Sequence, residues 1–149
     1  MSKRLYDDNL YRFDNPQQSY WEATAADIAV KARPLSGDES CDVAIIGGGY
    51  TGLSAALHLA RDHNIDVRVL EAGHIGWGAS GRNGGFCSIG GTGVQRKDLV
   101  KMVGVDRVRE FFRSQVDGVE LVRDLAGSEG IEYQAFGSAE LEVAHLEKA

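Results

Sequence analysis

Asp42-Val43-Ala44-Ile45-Ile46-Gly47-Gly48-Gly49-Tyr50-Thr51-Gly52-Leu53 is the stretch that decides the fold of this chain. Val43 to Ile46 form an unbroken apolar run, the pattern of a parallel strand covered on both faces. Three glycines in the turn have separate tasks: Gly47 permits the tight turn, Gly49 lets the backbone approach a pyrophosphate, and Gly52 lets the following helix lie close to the sheet. Tyr50 and Thr51 open that helix, whose free N–H groups and dipole favour a bound anion. Leu53, Ala56, Leu57 and Ala60 recur at helical spacing, with His58, Arg61 and Asp62 off the stripe and Asn64 as a helix stop. Val67 to Leu70 read as a second strand. Glu71 closes it, nineteen residues after Gly52, where a carboxylate can accept hydrogen bonds from ribose hydroxyls. The fold class is therefore α/β, with a Rossmann-like βαβ unit built to hold the adenosine diphosphate half of FAD or NAD. A plain glycine turn in an unrelated α/β protein would lack the strand, the helix and the acid at these distances. Glu71 also argues against NADP, because two anions would repel.

The next stretch, Glu71-Ala72-Gly73-His74-Ile75-Gly76-Trp77-Gly78-Ala79-Ser80-Gly81-Arg82-Asn83-Gly84-Gly85-Phe86, favours FAD over NAD. Of the 19 glycines in the chain, 13 fall between Gly47 and Gly93, so pliant backbone is gathered at one locus. A simple NAD unit leaves its second strand through a short loop. Here a long glycine-rich loop offers Ser80, Arg82, Asn83 and several N–H groups as a second surface for a pyrophosphate or a flavin edge. A flexible linker is the plainer reading, but Ile75, Trp77 and Phe86 are large apolar anchors that linkers seldom carry. His74, so close to Glu71, is either a ligand neighbour or a surface residue.

Tyr20-Trp21-Glu22, Gly47 to Gly52, Glu71-Ala72 and the string Gly76-Trp77-Gly78-Ala79-Ser80-Gly81-Arg82-Asn83-Gly84-Gly85 together resemble the N-terminal part of FAD-dependent amine and amino-acid oxidoreductases of the D-amino-acid oxidase superfamily. Within it the likeness is greatest to gamma-glutamylputrescine oxidoreductases, and it weakens after Gly93. The resemblance implies that Gly47, Gly49, Tyr50, Thr51 and Gly52 contact the FAD pyrophosphate and that Glu71 and Ala72 lie at the adenosine ribose. It further implies that Ser80, Arg82, Asn83, Gly84 and Gly85 run along the pyrophosphate and ribityl chain toward the flavin. The implied reaction is oxidation of a C–N bond in a small amine or amino acid by hydride transfer to flavin, after which water hydrolyses the imine. The cofactor carries that chemistry, and the protein orients and polarises. Members of the group complete their flavin site with strands that return after a substrate domain, so the chain is expected to be the N-terminal portion of such an enzyme. A non-catalytic dinucleotide-binding module is the alternative, and a small NAD-dependent dehydrogenase a weaker one.

Composition agrees with an α/β enzyme piece. A net charge of −6 gives no basic face for nucleic acid, and no apolar run is long enough for a membrane span. The first thirty residues lack a signal-peptide core, which makes the cytoplasm the default location. Cys41 and Cys87 form neither a disulfide framework nor a metal set, and both read as reduced, packing cysteines. His58 and His63 stand five apart, the wrong spacing for two ligands on one helix face, and His145 lies in the terminal tail. No catalytic acid, base or metal ligand emerges.

The chain is expected to bury one respectable core. Residues 1–40 read as an irregular arm whose aromatics pack on the surface, residues 41–96 as the FAD-binding unit with its glycine-rich loop, and residues 97–149 as a helical segment leading into an incomplete substrate domain. In that last part, Lys97 to Val103 predict a short helix. Val105, Val108, Phe112, Val116, Val119 and Val122 or Leu125 predict a long one with a core-facing stripe, ending near Gly127. Phe111 and Phe112 belong to that stripe. Ile131 to Ala135 and Glu140 to Ala144 predict a hairpin around Gly137.

Overall fold

The computed structural model describes residues 7–8, 12–13, 19–24 and 32–137. The chain divides into two units, Met1–Gly84 and Gly85–Ala149.

In the first unit a short helix α1 (Tyr20–Thr24) precedes strand β1 (Val43–Ile46), helix α2 (Tyr50–His63) and strand β2 (Val67–Leu70). The two strands pair in parallel, Val43 opposite Val67 and Ile46 opposite Leu70. The Gly47 amide extends the ladder by donating to the Leu70 carbonyl at 2.8 Å, so the turn starts directly from the sheet. Asn64 stops α2 as read, in a left-handed conformation (φ 54°), with its own amide bonded to the Ala60 carbonyl and the Ile65 amide to that of Leu59.

The strands depart from expectation in one respect: β1 is covered on one face only. Val43 and Ile45 are half-buried, whereas Ala44 and Ile46 point away and Ile46 is 81% exposed. The helix accounts for this, since α2 lies over the Ile45 side. On the other face Arg68 of β2 reaches Glu39 and Asp66. An apolar run thus encodes two buried faces of which this unit supplies one cover.

In the second unit helix α3 (Arg96–Val103) meets helix α4 (Val105–Ser128) at Gly104, whose φ of 85° makes the corner. Both helices fall where the periodicity places them. The stripe of α4 is shifted, however. Val108 and Ala126 are buried and Phe112, Val119 and Leu125 half-buried, but Val105, Val116 and Val122 are exposed, as is Phe111, which meets Phe112 edge-on at 5.5 Å. Gln115 takes the place of a valine in the half-buried row, because its side-chain oxygen accepts the Gly90 and Gly91 amides at 2.6 and 2.9 Å.

Three further expectations change. Val108 and Ala126 are the only buried hydrophobic side chains among the described residues and neither is fully enclosed, so the respectable core is absent from the described residues. Cys87 is exposed, and only Cys41 is partly packed. Ile131 to Ala135 form no strand, since a strand requires a paired neighbour and none lies beside them among the described residues. The companion segment 140–144 and His145 lie outside the described residues. No described helix is long and apolar enough to cross a membrane.

Candidate functional site

The glycine turn is held open by contacts that leave no room for side chains. A Cβ on Gly52 would lie 2.1 Å from the Gly47 carbonyl oxygen, so α2 can approach β1 only because that atom is missing. Gly47 itself has φ 104°, a conformation costly to any residue with a Cβ. A Cβ on Gly49 would meet the Ser80 hydroxyl oxygen at 2.9 Å. Gly49 also caps α2 without a side-chain hydrogen bond of its own. The Tyr50 amide instead donates to Ser80 Oγ at 2.9 Å, which ties the glycine-rich loop to the first turn of the helix. Thr51 and Gly52 follow in that first turn, where amides have no carbonyl inside the helix to pair with.

Glu71 stands at the other side of the turn. Its Oε2 accepts the Gly48 amide at 2.6 Å and its Oε1 the Gly73 amide at 2.9 Å. The Gly73 bond, aided by those from Gly48 and Ala72, holds the carboxyl below its usual range and outweighs the opposing effect of burial. Glu71 is thus a carboxylate, and each oxygen keeps a further lone pair for a hydroxyl donor. Gly48, buried and pinned to Glu71, is the site residue that sequence reading passed over. The unbroken triplet of glycines was its signal, since a Cβ there would strike the Ile75 side chain at 2.7 Å.

Beyond Glu71 the loop has no strand and a single 3-10 turn at Ala79–Gly81. Asn83 closes that turn, its side-chain amide donating to the Ala79 and Ser80 carbonyls at 3.1 and 2.8 Å. Arg82 is committed to Trp77: its Nε donates to the Trp77 carbonyl at 2.7 Å and its guanidinium stands 4.6 Å from the centre of the indole ring. The structure therefore brings together Gly47, Gly49, Tyr50, Gly52, Glu71 and Ser80. Thr51 and Ala72 are exposed beside them, Arg82 and Asn83 brace the loop, Gly84 ends the first unit and Gly85 begins the second with φ 76°. His74 pairs with Glu22 of α1 and stacks edge-on against Trp77. Among the described residues there is no cluster of His, Cys, Asp and Glu able to hold a metal.

Comparison with known proteins identifies a family for the chain. Residues 42–149 match the family described as FAD dependent oxidoreductase. The chain belongs to this family. FAD is the cofactor of that family, and the residues present fit it: a turn emptied of side chains, a helix start aimed into it, and an ionised carboxylate at the strand end. Among curated relatives, the gamma-glutamylputrescine oxidoreductase of Escherichia coli is 43% identical over 71% of this chain and 24% of its own length. A probable oxidoreductase OrdL of Rhizobium meliloti is 36% identical over 88% of the chain and 30% of its own length. The sarcosine oxidase subunit beta of an Arthrobacter species is 48% identical over a shorter stretch, 30% of the chain and 11% of its own. The chain thus spans under a third of the length of these relatives. No solved structure matches it significantly.

Proposed function

We propose that this chain contributes the dinucleotide-holding part of an FAD-dependent oxidoreductase that oxidises the C–N bond of a small amine, in the manner of an enzyme for gamma-glutamylated polyamines. The observation that carries the reading is the Ser80–Tyr50 bond, which joins the dinucleotide turn to the long glycine-rich loop. A simple nicotinamide unit has no use for that second element. The names of two relatives point the same way, one to gamma-glutamylputrescine and one to sarcosine, both amines.

In this reading Gly47, Gly49, Gly52 and the amides of Tyr50 and Thr51 receive the pyrophosphate, while Glu71, beside Ala72, accepts the adenosine ribose hydroxyls. Ser80 to Gly85 follow the rest of the cofactor, Arg82 and Asn83 acting on the loop from behind. Bound FAD supplies the two-electron acceptor. The chain's own residues bind, orient and neutralise: the first turn of α2 faces phosphate charge with its amides, and Glu71 fixes the adenosine end.

Purification of the full chain, its absorption spectrum, and titrations with FAD, NAD and ADP test the reading. A yellow protein, or FAD held clearly tighter than both NAD and ADP, is the expected result and opens a screen of amines. Equal, weak binding of all three would sink it.

A further inference from the structure

Two successive residues of α1 reach the two ends of the glycine-rich loop. Glu22 forms a reciprocal cap with Ser19: its Oε2 accepts the Ser19 amide at 2.7 Å and its own amide donates to Ser19 Oγ at 3.1 Å. That arrangement leaves Oε1 for His74 Nε2, at the start of the loop. The Ser19 amide, and then His74, hold the Glu22 carboxyl below its ordinary range, so the contact is made by a carboxylate. Trp21, the neighbouring residue, donates its indole N–H to the Asn83 carbonyl at 2.8 Å, at the far end. Between these ties, Trp77 packs against Phe13 of the arm at 5.4 Å, against His74 at 5.2 Å and beneath Arg82.

The consequence reaches the candidate site through hydrogen bonds already described. Trp21 holds Asn83, and the Asn83 side chain holds the Ala79 and Ser80 carbonyls, so the tie fixes the stretch of loop that leads away from the pyrophosphate turn. A loop with this much glycine has a large conformational freedom to lose on binding a ligand. Fixing it beforehand raises affinity without touching the ligand.

We propose that Trp21 and Glu22 are positioning residues: α1 clasps the glycine-rich loop at His74 and Asn83 and so sets affinity for the flavin end of FAD, while leaving the adenosine diphosphate end unaffected. The inference rests on the functional reading above, because it takes the loop to follow the cofactor past the pyrophosphate.

Trp21→Phe keeps the ring and removes the donor; Glu22→Gln keeps the shape and removes the charge. In the full chain each is expected to raise the Kd for FAD about fivefold, the worth of one hydrogen bond, and to leave the Kd for ADP within about twofold. Hydrogen exchange on the ligand-free protein is expected to be about fivefold faster at the amides of Trp77, Gly81 and Arg82 in either variant. A general loss of folding would weaken FAD and ADP together, and that outcome overturns the clasp. So does unchanged loop exchange, or faster exchange with an unchanged FAD Kd. Failure of the unmodified chain to bind FAD overturns the functional reading instead, which separates the two.

Discussion

Gly52→Ala should cost this fold about 2 kcal/mol, and the structure shows why. The added Cβ would lie 2.1 Å from the Gly47 carbonyl oxygen and 3.2 Å from Ile45 Cγ2, whereas real Cβ contacts essentially never fall under 3.0 Å. Helix and turn must therefore separate by about 0.9 Å. The obstacle is backbone, and it is fixed: Gly47 is tied to Leu70, Gly48 to Glu71 and Tyr50 to Ser80. Overpacking of this kind costs about 1–3 kcal/mol, with the upper end appropriate where no flexible side chain can yield. Alanine in place of glycine inside a helix returns about 0.8–1 kcal/mol. The balance is a loss of about 2 kcal/mol, close to thirtyfold in the folding equilibrium. Urea unfolding of the ligand-free full chain should then show a midpoint lower by about 1 M at an unchanged slope. A midpoint equal to or above that of the unmodified chain would refute the reasoning, because it would mean that the turn yields freely and that Gly52 is not needed for close packing.

Gly118, inside α4, has open space where a Cβ would go, so Gly118→Ala should raise stability by about 0.5–1 kcal/mol in the same urea experiment. Gly49→Val should abolish detectable FAD binding, read by flavin fluorescence, since even a Cβ meets Ser80 Oγ at 2.9 Å and two further methyls would fill the phosphate approach. Glu71→Ala should weaken ADP binding by about 1–3 kcal/mol in calorimetry, and it strips the buried Gly48 amide of its acceptor. The same carboxylate gives a pH dependence. Its folded-state pKa is lowered, so its contribution is complete above the ordinary carboxylate value and is lost as pH falls through the folded value. Urea midpoints should therefore fall on acidification below about pH 4.5, and less steeply in Glu71→Gln.

What could be read from the chain alone was the part in which each residue answers a local demand. Gly47 and Gly52 are legible because one needs a positive φ and the other a missing Cβ, and Asn64 because few other side chains accept the left-handed position it takes. Gln115 was illegible for the opposite reason: its place in the half-buried row depends on two amides twenty-four and twenty-five residues away. The roles of Trp21 and Glu22 are likewise set by partners more than fifty residues on, to which no spacing rule points. Ile46 shows how an apolar residue states a preference for burial without naming what will cover it.

The dinucleotide turn is hydrogen-bonded to its own chain before any ligand arrives, with Ser80 on the Tyr50 amide and Glu71 on the Gly48 amide. Occupation of the Tyr50 amide by a phosphate is therefore an exchange of acceptors, in which the Ser80 bond is surrendered for the one that is formed. Exchanges of like for like release little heat and contribute little net affinity. The discrimination must come from charge, because a phosphate brings to the positive end of α2 what a serine hydroxyl cannot. Recognition in this turn should consequently fade with added salt far more than its count of hydrogen bonds would imply.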